Sequence, residues 1–146
     1  MKAKEYLQQL KKLDVLISNK LIEIDQWKAI ASGTTACSEG ERVQASGSQQ
    51  KMADAVVRYM DIQGELDADI DRFIDTKMDV IRTIETLNPT EYDLLHMVYV
   101  QFLTLDDVAA KYDKSYSWAT SVKGRAMANV QRILDERETK AGDENT

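Results

Sequence analysis

The chain is poor in the residues that most site chemistry needs. It has one cysteine, Cys37, so no internal disulfide can form, which suits a reducing cytoplasm. It has one histidine, His96, with no second His or Cys nearby, so no zinc ligand set is expected. Cys37 has no histidine at motif spacing and reads as a loop thiol. No apolar run approaches about 18 residues, which excludes a membrane-spanning helix. The start, MKAKEYLQQLKKL, lacks an apolar signal core, so export is not expected. Neither a Gly-rich phosphate loop nor a nucleophile elbow is present. Asp67, Asp69 and Asp71 imitate the start of a calcium loop. Arg72 stands where that loop needs glycine, however, and Met78 where it needs its closing glutamate. The three aspartates read as a solvated acidic face. The expectation is a protein that is not an enzyme, with no metal and no cofactor.

With one proline and six glycines in 146 residues, little interrupts a helix. Residues 2–31 read as one helix, with Tyr6, Leu10, Leu13, Ile17, Leu21, Ile24 and Trp27 at spacings of three and four. Residues 50–86 read as a second, with a seam of Met52, Val56, Tyr59, Leu66, Ile70, Phe73, Ile81 and Ile84. Gln63 and Lys77 interrupt that seam. Neither helix can bury its stripe alone. An antiparallel coiled-coil hairpin would solve this, as would the same helices packed in a homodimer. The intervening residues 32–50, rich in Ser, Gly and Thr, read as a flexible linker.

Residues 88–135 carry the informative pattern. Asn88 is an N-cap, Pro89 takes the first helical position and Glu91 completes a capping box. Thr104 caps the next helix, with Asp107 closing its box. Leu105, Val108, Ala109 and Tyr112 are its apolar positions. Asp113 suits the tight turn because it tolerates the left-handed conformation, and Ser115 caps the following helix. In that helix Ala119, Val122, Ala126, Met127, Val130, Ile133 and Leu134 mark the buried face. The other face offers Tyr116, Ser117, Thr120, Ser121, Lys123, Gly124 and Arg125. Between Ser115 and Leu134 the only charges are Lys123, Arg125 and Arg132. In a chain of net charge −6 this places phosphate attraction on one helix. Two helices joined by a tight turn, the second basic, have the layout of a helix-turn-helix.

The tract from Leu87 to Leu134 resembles region 4 of bacterial sigma factors. Leu94, Leu95, Val98, Tyr99 and Phe102 match the leading helix of that family. Val108-Ala109 match its Ile-Ala pair, Ser115 its cap, and Ala126-Met127 its Ala-Leu pair. Asp113 replaces the usual turn glycine, Lys114 an apolar residue before the cap, and Ala119 a branched one. The chain is also similar to small phage and prophage proteins of Gram-positive bacteria, the ArpU and RinA types of late transcription regulator among them. YDKSYSWATSVKGRAM is the tract that carries this likeness.

The expected fold class is therefore all-α. A long, coiled-coil-like N-terminal hairpin (1–87) precedes a three-helix helix-turn-helix domain (88–135) and a polar tail (136–146). The expected function is transcription regulation in the cytoplasm of a bacterial host. Double-stranded DNA would be read by Tyr116, Ser117, Thr120, Ser121, Lys123, Gly124 and Arg125. RNA polymerase is the alternative partner, and a coiled-coil phage structural protein the alternative role.

Overall fold

The computed structural model describes residues 1–33 and 45–144. Among them there are only helices: α1 (Ala3–Ala31), α2 (Ala45–Ile84), α3 (Pro89–Leu95), a π-helical turn (His96–Val100), α4 (Leu105–Tyr112) and α5 (Tyr116–Glu144). The fold is all-α, as the periodicity predicts. Two element bounds differ from the sequence reading. Helix α2 begins at Ala45, inside the expected linker. Helix α5 runs to Glu144 instead of stopping near Leu134, which makes it as long as α1. Cys37 and most of the linker 32–50 lie outside the described residues. No described helix is long and apolar enough to cross a membrane.

Contacts divide the chain into two units. One is Leu13–Arg72. Here α1 and α2 run antiparallel: Lys20 meets Glu65 and Asp69, while Lys28 lies over the Tyr59 ring. Ile24, Ile62 and Leu66 form the buried centre, with Ile17, Trp27 and Ile70 packed against it.

The seam differs from the predicted one in an instructive way. Leu21 is 51% exposed, and the inward position belongs to Lys20. On α2, Ile62 is 1% exposed and fills the seam beside Gln63, which the sequence pattern counts as an interruption. Counting Ala55, Tyr59, Ile62, Leu66 and Asp69 gives unbroken four-three spacing, the 3.5-residue repeat of a coiled coil. Asp69 is therefore no part of a solvated acidic face. It is 5% exposed and accepts a 2.5 Å hydrogen bond from Lys20 Nζ. Asp67 and Asp71 do face solvent.

The other unit is Met1–Lys12 with Phe73–Thr146. Its core joins Ala3, Tyr6, Leu7 and Leu10 of α1 to Val80 and Ile84 of α2, Leu94 and Leu95 of α3, and the inner faces of α4 and α5. Burying each of the larger side chains contributes about 1.5–3 kcal/mol. A polar cluster ties the same elements. The Tyr6 hydroxyl bonds Asp79 and, at 2.9 Å, Thr83, and Arg137 of α5 donates to Thr83 Oγ1 at 2.6 Å. Burial, then the bond to Asp79, pushes the Tyr6 phenol up from its ordinary range.

The leading helix holds a feature that periodicity does not announce. After Leu95 the backbone widens into a π turn, closed by Gln101 N–H donating to His96 O at 2.9 Å. Phe102 then takes φ 61°, a left-handed conformation that costs a non-glycine residue about 1–3 kcal/mol. Leu103 N–H returns to Met97 O at 2.8 Å, and Lys11 Nζ sits 4.6 Å from the Phe102 ring centre.

Candidate nucleic-acid interface

The turn between α4 and α5 forms by local chemistry. Thr104 Oγ1 accepts from Asp107 N–H, and the Asp107 carboxylate accepts from Thr104 N–H at 2.9 Å, so the capping box is complete. Asp113 ends α4 with φ 51° and ψ 48°, the left-handed conformation expected of it. Lys114 N–H reaches back to Ala109 O at 2.9 Å. Ser115 Oγ then accepts from Trp118 N–H at 3.0 Å and starts α5.

The cap of α3 is only half as predicted. Asn88 Oδ1 accepts from Glu91 N–H at 2.9 Å. The Glu91 side chain, however, does not close the box. It is 6% exposed and accepts from Asn129 Nδ2 of α5 at 3.0 and 3.2 Å. A buried carboxylate needs a partner, and the crossing helix supplies one where the local backbone was expected to.

Asp93 links α3 to α4. It accepts from Lys111 Nζ at 2.7 Å and from the Tyr112 hydroxyl at 2.5 Å. Burial alone would raise its carboxyl. The bonds from Lys111 and Tyr112 outweigh that, and it lies below the usual carboxylate range. The same bond, with burial, pushes Tyr112 up to about 12. A lowered carboxylate adds stability that is complete above its unfolded pKa and lost as pH falls through the folded one. Asp93→Asn should cost about 1–1.5 kcal/mol at neutral pH. That difference should shrink from about pH 4 downward. Denaturant titrations of both chains across that range would check it, and a gap that stays constant to pH 2 would contradict it.

Helix α5 buries Ala119, Val122, Ala126, Val130 and Leu134 against this frame, five of the seven positions expected. Met127 and Ile133 are half-buried. Outward lie Tyr116, Ser117, Thr120, Ser121, Gly124 and Arg125, all exposed. At 100° per residue, Ser117, Thr120, Ser121 and Gly124 form a central stripe of short side chains, with Lys123 and Arg125 on opposite flanks. Lys123 is the one predicted residue turned partly away: it is half-buried, its Nζ 5.9 Å from the Tyr99 ring centre. Gly124 costs the helix roughly 1 kcal/mol relative to alanine.

Charge of one sign marks this face. Lys20, Lys111 and Arg137 are each paired with a carboxylate. Lys114, Arg125 and Arg132 form no ion pair with any described residue. No acidic side chain occurs on α5 before Asp135.

Trp118 and the cap segment Asn88–Glu91 border this face. Trp118 packs on Tyr112, ring centres 5.4 Å apart. Trp118 also helps to line a cleft of about 530 Å³ between the start of α3 (Asn88–Glu91) and Arg125. The signal was the polar cap segment itself, but only the crossing of α3 and α5 brings it to Arg125.

No curated protein and no solved structure matches the chain. The family model described as "Protein of unknown function (DUF1492)" matches residues 34–131, well over half of the chain and including α3, α4 and the outward face of α5, and the protein belongs to that family.

Proposed function

We propose that the protein is a sequence-specific DNA-binding transcription regulator, of the phage or prophage late-gene kind that its likeness to sigma region 4 and to the ArpU and RinA types suggests. The observation that carries this reading is the outward face of α5. A thin polar stripe with a cation on each flank suits a helix lying between two phosphate strands. Those flanking charges are not spent on carboxylates of the described residues. An ordinary solvated helix face in a chain of net charge −6 would mix both signs. The order of elements supports the same reading, since a capped turn presents α5 with its N-terminal half outward. One copy would read a half-site, and a two-fold pair of copies a palindrome.

The test is a binding titration on a duplex pool enriched with the wild-type chain. If Arg125 is bidentate to guanine, Arg125→Ala costs about 1–3 kcal/mol and relaxes preference at one base pair. If it contacts phosphate, the loss is uniform across sequences and the salt slope falls by about one unit. The Lys123/Arg125 double alanine variant should bind more weakly still. Equal binding by this variant and wild type, or no enrichment by wild type, would overturn DNA reading. The polymerase-docking and coiled-coil structural roles would then stand instead.

A further inference from the structure

No packing contact among the described residues requires Gly124 to be glycine. A Cβ placed on it would meet no atom within 4 Å. It lies exposed in the interior of α5, where alanine would hold the helix better. The neighbouring Arg125 forms no ion pair with a described residue. A helix with its side chains is about 10–12 Å across, close to the ~12 Å width of the major groove. The length of the outward side chains therefore sets how far its axis can sink. At residue 124 the main chain itself is the outer surface.

Resting on the reading of α5 as a DNA-binding helix, we infer that Gly124 is where the backbone of α5 comes closest to the base-pair edges of duplex DNA. Contact with the groove floor then continues into the third turn of the helix instead of ending with Ser117 in the first. The ligand this selects is B-form duplex, whose major groove is wide enough to admit a helix backbone to that depth. Any side chain at 124 lifts the helix away from the bases, and a longer one lifts it further.

Gly64 supplies the control. It too is exposed within a long helix, and a Cβ there would also meet nothing within 4 Å. The experiment compares wild type, Gly124→Ala, Gly124→Leu and Gly64→Leu in thermal melts, and in titrations with a randomised duplex pool enriched on wild type. Gly124→Ala should melt about 2–4 °C higher than wild type, and neither Gly124 variant should melt lower. Gly124→Leu should bind about tenfold more weakly or worse, the size of one lost base contact. Gly124→Ala should lose less, and Gly64→Leu nothing. Thus the two Gly124 variants keep or gain stability while losing affinity, which a folding defect cannot produce. Undiminished binding by Gly124→Leu would overturn the inference and leave DNA reading intact. So would a lower melting point for both Gly124 variants, or an equal loss of binding in Gly64→Leu. If the wild type enriches no duplex, the functional reading fails first and this inference with it.

Discussion

Ala119→Glu is expected to unfold the helix-turn-helix unit outright. Ala119 has 0% exposure and sits in the core that α5 shares with α3 and α4. A glutamate there has no room for its chain and brings a carboxylate into an apolar core. Overpacking and the burial of a charge together cost upwards of about 4–5 kcal/mol. That approaches the whole stability of many domains, about 5–15 kcal/mol. Ala128→Glu, on the exposed side of the same helix, introduces the same residue and should change stability little. Thermal melts followed by circular dichroism would separate them. A cooperative, wild-type-like melt for Ala119→Glu would show that residue 119 does not lie in the core between α3, α4 and α5.

Lys20→Leu should produce the next largest loss, about 3 kcal/mol, the lower end for breaking a buried ion pair. The substitution leaves the Asp69 carboxylate, with a side chain only 7% exposed, facing an apolar seam. Arg72 at 3.8 Å is its remaining cation, and that side chain is 63% exposed. Lys20 loses less than a fully buried lysine would, because its side chain keeps 16% exposure. Replacing both partners, Lys20→Leu with Asp69→Leu, should restore stability to about wild type or above it, since two apolar groups continue the heptad seam. The bond to Asp69 raises the Lys20 ammonium above its ordinary range, against the opposing pull of burial. Its contribution is therefore complete at neutral pH and lost only as pH rises through that raised value. Chemical denaturation of the three variants gives the cycle. A double variant as unstable as Lys20→Leu alone would show that the charge pair was not the cause.

What could be read from sequence follows the range of the interaction. The caps at Asn88, Thr104 and Ser115 and the left-handed Asp113 were legible because each is satisfied within a few residues. The outward stripe of α5 was legible for the same reason, since one helix period places it. The choice of Lys20 over Leu21 was not. Both fit a helix stripe, and only Asp69 across the pair decides which turns inward. Glu91 fits a capping box equally well, and only Asn129 on a crossing helix draws it away. The π turn at His96–Val100 escaped because inserting one residue's worth of slack leaves the apolar run unchanged.

Ala3 N–H donates to Gln131 Oε1 at 2.8 Å, and Tyr6, Leu7 and Leu10 share a core with Val130 and Leu134. These partners are separated by well over a hundred positions along the chain. During synthesis the first of them leaves the ribosome long before the last is made. This part of α1 can meet α2 and α3 earlier, but its contacts with α5 must wait until residues 130–134 have been made. Such contacts raise the mean sequence separation that slows folding, in a protein otherwise built from fast local helices. Completion of this unit is thus a late event, timed by the arrival of α5 and not by the formation of its neighbours.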